Sequence, residues 1–362
     1  MKKIFTLAAA SAIVASSLGA QAQITLDGKV TAAEIAATNT ANKYQLVSTY
    51  AGVHSVADRG LQTLYVGASA TKLYVAVVGA FLQSGTYPAV ILYLNVPGKT
   101  GVAAGTKLAG GAAGDSPLKH KPTMDFEVDY GIRVNFDATP ANGGYFSFAD
   151  YSGGNVTGGV PDAYQGNVKP GTALTASATT GPLKDARVAY TNAASVLTNT
   201  DNSALEFEFD LAALGLTATS AVDMFVAYTN DGGIFTTDIF PPVVGRATAF
   251  DADQDFTAIA GKQFLTYQLG SGLLATRSEV ASALRFGVYP NPGSAVNVTY
   301  VVPQGKQQVS LNVYDATGKQ VRSNSGAQAG QQSYKLSGLR AGIYVVKLNV
   351  GGQETSGKVV IE

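Results

Sequence analysis

Between residues 60 and 270 apolar positions recur every second residue. Met124, Phe126, Val128, Tyr130, Ile132, Val134 and Phe136 alternate with Asp125, Glu127, Asp129, Gly131, Arg133 and Asn135, the period of an extended chain with one face in a core and the other in water. Leu205, Phe207, Phe209 and Leu211 repeat the pattern against Glu206, Glu208 and Asp210, and residues 212–216 then suit a helical turn. Residues 74–78 and 90–94 are nearly continuous apolar runs instead, which predicts strands covered on both faces. Strands are predicted at 61–68, 72–78, 89–94, 124–136, 144–148, 186–190, 204–211, 224–228 and 263–269, separated by Gly, Pro, Asn and Asp. A long 3.6-residue period is missing, so the fold class is all-β: a large antiparallel β-sandwich over residues 23–270.

Residues 286–362 carry a second, tighter rhythm. Short period-two runs at 296–302, 308–315, 333–336, 342–350 and 356–361 are separated by turns such as Ala316-Thr317-Gly318-Lys319 and Gly351-Gly352, predicting a small seven-strand Ig-like β-sandwich. Gly318 and Gly342 suit positions with positive φ, and Pro290 and Pro292 enforce an extended start. Residues 271–285 follow Gly270 and read as a linker. At the other end Lys2 and Lys3, an apolar run over residues 4–20 and Ala20-Gln21-Ala22 form a signal peptide of residues 1–22, cleaved after Ala22. Beyond it no stretch is long and apolar enough for a transmembrane helix in the mature chain.

Charge and composition narrow the chemistry. Lys plus Arg equals Asp plus Glu at 25 each, which argues against a nucleic-acid partner. The balance is uneven along the chain, net −7 over residues 23–270 and net +4 over 286–362. With no Cys, thiolate metal sites and thiol nucleophiles are excluded, and with no Trp the usual flat platform for sugars must come from other rings.

Two sets of motifs carry family resemblances. Tyr289-Pro290-Asn291-Pro292, Val302-Pro303, the run from Val313 through Asp315, Gly318 and Lys319, Leu339-Arg340-Ala341-Gly342-Ile343-Tyr344, and Lys358-Val359-Val360 occur in order over about 75 residues. They resemble the type A C-terminal sorting domain of the Bacteroidetes type IX secretion system. That resemblance implies a secreted or outer-surface protein, exported by Sec and then across the outer membrane, whose tail meets the type IX translocon and in many relatives its sortase. Less closely, residues 24–30, 72–77, 125–128, 205–216 and 225–231 resemble the DOMON-like sandwiches that include carbohydrate-binding module family 9. That resemblance implies a binding module for sugars, haem or metals.

Candidate chemistry falls into three groups. Tyr145, Tyr151 and Tyr164 lie in a Gly-rich stretch, and Asp231 and Asp238 in a loop-like segment, two rims suited to a glycan or a surface protein. Asp251, Asp253 and Asp255 have the two-residue spacing of a calcium loop but lack the Gly and Glu that complete an EF-hand, so no cofactor is fixed and an irregular calcium site stays open against a solvated acidic loop. Asp125, Glu127 and Asp129 with Glu206, Glu208 and Asp210 could pair as acid and base if their faces adjoined. The favoured expectation is a non-catalytic exported binding protein. A polysaccharide hydrolase and a structural or adhesion protein are the alternatives.

Overall fold

The computed structural model describes residues 23–273, 284–351 and 353–362. The expected signal peptide of residues 1–22 and most of the expected linker lie outside the described residues. The larger region contains β1 (Tyr44–Thr49), β2 (Gly60–Ala68), β3 (Lys72–Ala80), β4 (Ala89–Asn95), β5 (Tyr130–Phe136), β6 (Gly144–Asp150) and β7 (Asp162–Val168). It continues with β8 (Leu174–Thr175), β9 (Arg187–Tyr190), β10 (Ala204–Asp210), β11 (Ala221–Thr229), β12 (Phe235–Phe240), β13 (Leu265–Gln268) and β14 (Gly272–Leu273). They form two antiparallel sheets. The first runs β1-β2-β3-β10-β9-β8; the second runs β14-β13-β11-β4-β5-β6-β7, with β12 beside the far half of β11.

The predicted alternation places the core between these sheets. Leu205, Phe207 and Phe209 of β10, and Val75 and Val77 of β3, pack against Leu92 and Leu94 of β4, Ile132, Val134 and Phe136 of β5, and Val226 and Tyr228 of β11. Phe146 meets Phe207, and Phe136 meets Tyr190 edge-on at 5.2 Å, across the interface. Each such ring or branched chain contributes about 1.5–3 kcal/mol by leaving water. As expected, β3 and β4 are buried on both faces. The short helix α1 (Leu211–Leu214) forms where the sequence placed a turn, with Asp210 accepting from Ala213 N–H at its start and Gly215 left-handed at its end.

Both outer faces are roofed. Residues 24–35 lie over the first sheet, where Val30 packs with Tyr44, Ala76, Val78 and Ala204. Over the second sheet, Val102, Leu108, Leu118, Met124, Phe126, Val128, Phe250 and Phe256 cover Ile91, Tyr93, Phe225, Phe235 and Ile239. Small Gly and Ala residues let the 97–116 stretch lie close on the sheet, and backbone bonds such as Val102 to Val128 pin it. That stretch is pinned to the sheet as a cover, and beyond the strand expected at 144–148 residues 162–175 add two more, β7 and β8.

The roofs correct two expectations. Residues 124–136 do not form one strand: Met124, Phe126 and Val128 belong to the roof and Tyr130 to Phe136 to the inner core, so the same alternation serves two layers. The acidic faces are also not wet. Glu206 is fully buried, accepting from Asp27 N–H, Gly28 N–H at 2.6 Å and Tyr44 O–H at 2.8 Å. Gly28 is required there, because its φ is +86° and a Cβ would strike the backbone of Tyr190 and Thr191.

Residues 284–362 have their own core. The strands are β15 (Gly287–Tyr289), β16 (Val296–Asp315), β17 (Gln320–Leu336), β18 (Gly342–Val350) and β19 (Gln353–Ile361). Five strands replace the expected seven because β16 and β17 are long and paired along their whole length, with the register broken between Val302 and Gln307. At that break the buried parity switches from Val296, Val298, Tyr300 and Val302 to Val309, Leu311 and Val313, and both halves share one core with Tyr344, Val346, Leu348 and Ile361. Gly342 opens β18 without a positive φ, contrary to expectation, whereas Gly318 has φ +83° in its turn.

Burial pushes the Glu206 carboxyl up to about 7, although its three donors oppose the shift. A carboxyl raised in the fold stabilises fully below its unfolded value near 4.5, and that contribution is lost as pH rises through about 7. Wild-type protein is therefore expected to lose on the order of 3 kcal/mol from this group between pH 5 and pH 8. In Glu206→Gln that part of the dependence should vanish, which urea denaturation at the two pH values will show.

Candidate functional site

At one end of the second sheet Tyr145 and Asn167 are half-buried and Tyr164 is exposed, whereas Ala89, Asn135, Ile91 and Ser147 stay buried. There the register aligns Ala89, Asn135, Tyr145 and Asn167 across β4 to β7, and Ile91, Arg133, Ser147 and Tyr164 in the next row. Because side chains two apart share a face, Tyr145 and Tyr164 emerge together, with ring centroids 6.4 Å apart. Tyr87, two residues before Ala89, lies close enough to Tyr145 to act on its charge. Tyr87 and Tyr164 are 50% and 56% exposed, an unusual state for large rings on a sheet.

Polar groups hold this face in shape. The Tyr145 hydroxyl donates to Asp137 Oδ2 at 2.7 Å, and Asp137 Oδ1 accepts from Thr139 N–H and Asn142 Nδ2. The Thr139 amide and the Tyr145 hydroxyl hold Asp137 below the usual carboxylate range, and the same bond raises Tyr145. Beneath, Arg133 donates to Asp162 at 3.4 Å and to the Tyr145 carbonyl at 3.3 Å. The Asn135 amide donates to the Tyr87 carbonyl, and Asp231 accepts from Tyr87 N–H at 2.5 Å. Next to Tyr87 opens a cleft of 240 Å³ whose walls include Thr86, Pro88, Tyr228 and Asp231.

The structure therefore brings together Tyr145, Tyr164 and Asp231 and separates the other two rim candidates from them. Tyr151 is fully buried with Tyr93 under the roof. Asp238 is no rim residue, because residues 235–240 form the buried strand β12. Its Oδ1 accepts from Leu61 N–H at 2.9 Å and faces His54 Nδ1 at 2.5 Å; its Oδ2 accepts from the Thr237 hydroxyl. A register irregularity between Leu61 and Thr63 accompanies this, so a carboxylate of the second sheet ties β2 of the first. Tyr87 was missed because its only sequence signal is a Tyr beside a turn, and its partners are two strands away.

The acidic candidates also disperse. Asp253 accepts from Lys121 N–H and pairs with Lys107 at 2.9 Å; Asp255 caps residues 256–258 through Thr257; Asp251 is exposed. Among the described residues no three His, Asp or Glu side chains come together as a metal group. Asp125, Glu127 and Asp129 lie in the roof of the second sheet, and Glu206, Glu208 and Asp210 on the outer side of the first. Both sheets stand between the triplets, and sheets alone pack about 10 Å apart, which is incompatible with an acid and base flanking one bond. Glu208 pairs instead with Arg187 and Lys72.

In the tail the motif residues build turns and edges. Asp315 Oδ1 accepts from Thr317 N–H, its hydroxyl and Lys319 N–H, closing the turn through Gly318. Asn291, between the cis peptides to Pro290 and Pro292, accepts from Val360 N–H and donates to the Lys358 carbonyl, fastening the start of the domain to β19. Tyr344 is buried and donates to the Arg340 carbonyl, while Tyr289 is 58% exposed.

Comparison with known proteins places the tail. Residues 287–362 match the family model described as the secretion system C-terminal sorting domain. The chain thus bears a type IX sorting tail and is an exported protein, secreted or held at the cell surface. No curated protein matches the chain. Among solved structures it is similar to dimeric latent PorU from Porphyromonas gingivalis, at 11% identity and TM-score 0.19, covering 81% of this chain and 32% of that one. Others are the BSP domain of a biofilm associated protein, at 10% identity, TM-score 0.19 and coverage of 89% and 52%, and red sea bream transglutaminase, at 9%, 0.19 and coverage of 85% and 32%. The chain spans between a third and a half of these structures' lengths, and superpositions this loose say nothing of its function. Among the described residues no helix is long and apolar enough to cross a membrane.

Removing the Asp238 carboxylate would strand the Leu61 amide and the His54 ring. Asp238→Ala is expected to cost about 2–4 kcal/mol in urea denaturation, against a change within about 0.5 kcal/mol for the exposed Asp251→Asn.

Proposed function

We propose that residues 23–270 of this exported protein are a non-catalytic carbohydrate-binding module whose binding face is the end of the second sheet that carries Tyr145 and Tyr164. The observation that carries this is the pair of exposed rings Tyr87 and Tyr164 around the half-buried Tyr145, with Asn167 beside them and the buried Asn135 and Asp137 holding Tyr87 and Tyr145 in place. A pyranose offers an apolar CH face and a rim of hydroxyls. Tyrosine rings stack on the first, and side-chain amides and carboxylates bond the second. In a chain without Trp, exposed tyrosines are the flat rings left for that task. The adjoining cleft lengthens the surface past Tyr87.

The weak likeness to carbohydrate-binding module family 9 supports the same ligand class. The dispersed carboxylate triplets weaken the hydrolase alternative. An outward-facing binder also suits a chain that its tail sends to the cell surface or beyond.

Binding of the mature protein to a panel of insoluble and soluble polysaccharides tests the reading. Saturable binding without release of reducing ends is expected. Tyr145→Ala and Tyr164→Ala should each weaken it roughly 5- to 30-fold, while Tyr151→Phe, beneath the roof, should leave it unchanged. Absence of binding across the panel would turn the reading toward adhesion through protein contacts, and sugar release would turn it toward an enzyme. Independently, deleting residues 287–362 should retain the passenger inside the cell envelope, as fractionation and immunoblotting would show.

A further inference from the structure

Under the second roof one row of the register crosses four strands: Tyr93 of β4, Gly131 of β5, Ala149 of β6 and Asp162 of β7. Residues opposite one another in a sheet share a face, so the two small residues leave a trough between the ring and the carboxylate. Tyr151 leans into it from beyond β6. A Cβ on Gly131 would stand 3.1 Å from Tyr93 Cε1, 3.2 Å from Tyr151 Cε2 and 3.4 Å from Leu118 of the roof. Each of those Cε atoms is bonded to the carbon that carries the hydroxyl. One on Gly111, in the roof, would stand 3.3 Å from Leu118 and 3.4 Å from Asp162 Oδ2.

Three polar atoms line this trough. The Tyr93 hydroxyl, the Tyr151 hydroxyl and Asp162 Oδ1 are all buried, and none has a hydrogen-bond partner among the described residues. Burial, foremost, raises both tyrosines, and the Asp162 charge acts on each in the same direction. Both rings therefore keep their protons and are donors, while the carboxylate is an acceptor. The other oxygen of Asp162 is engaged, because Arg133 Nε donates to it at 3.4 Å.

We infer that the trough binds one water molecule, which accepts from the Tyr93 and Tyr151 hydroxyls and donates to Asp162 Oδ1. Three hydrogen bonds to polar groups that otherwise lack partners are what holds a water inside a protein. Water alone among common small guests supplies both the acceptor that two hydroxyls need and the donor that a carboxylate needs. A metal ion fits less well, because Arg133 already balances the charge of Asp162 and a further cation would be buried unmatched. The water joins β7, the last strand of its sheet, to β4, three strands away. The inference stands apart from the carbohydrate reading, so either can fail without the other.

A crystal structure of the mature protein, at a resolution that shows ordered water, is the test. A single peak about 2.5–3.0 Å from all three oxygens is expected. In the double variant Tyr93→Phe, Tyr151→Phe, which removes both donors, that peak should disappear while the backbone stays in place. A hydroxyl bonded directly to Asp162 with no peak between them would overturn the inference. So would a peak with six or more oxygen neighbours, the coordination of a hard cation. Thermal unfolding gives a second readout in solution. Tyr93→Phe and Tyr151→Phe should each lower Tm by about 2–4 °C. An unchanged or raised Tm in both would overturn the inference, since a hydroxyl that bonds nothing is not missed.

Discussion

Covering both outer faces of a sandwich whose central strands are apolar on each side is the constraint on which the rest of this structure depends. β3, β4 and the far half of β11 present no water-compatible face, so two sheets packed on one another do not complete the fold. Residues 24–35 and the segments around 97–129 and 241–264 are recruited as roofs. Their Gly and Ala content, which in isolation suggests a loop, permits the close approach to a sheet that a cover needs. What they leave open is then meaningful: Tyr87 and Tyr164 stay exposed around the half-buried Tyr145, where Tyr93 and Tyr151 elsewhere on this sheet are buried.

The same constraint explains where the acidic residues went. A roof laid over a sheet brings backbone amides against the strand side chains beneath it, and buried amides need acceptors. Glu206 accepts from the Asp27 and Gly28 amides, Asp129 from Val96, and Asp238 from Leu61. Carboxylates that alternate with core residues in the sequence thus work as clamps between layers. Glu206 and Asp238 do so from strands and Asp129 from the second roof, which is how two acidic triplets came to resemble halves of a catalytic pair.

Passenger and tail solve the covering problem differently. The tail folds two long strands past a register break so that their two halves enclose one core, and it uses short polar turns at Asp315 and Asn291 to fix its ends. Its outer surface keeps Tyr289, Ile343 and Val345 partly exposed. These are affordable on a domain that a secretion machinery must contact.

Much was legible in the sequence. Period-two alternation marked all but the least apolar of the long strands, continuous apolar runs marked the doubly covered ones, and ordered motifs over residues 289–360 identified the tail. These properties are local: alternation follows from the pleat and turn residues from backbone sterics, so neighbours in sequence suffice to express them. The tertiary structure alone decided which layer each alternating segment joined. Residues 124–128 and 130–136 share one pattern yet face different cores, since the period does not say which sheet lies opposite. It alone also decided that Tyr87 joins Tyr145 and Tyr164, that Tyr151 and Asp238 do not, and that Asp125 meets Gln263 across 138 positions. Such meetings depend on strand order and register, which are set by the packing of the whole sandwich and leave no mark at any single position in the chain.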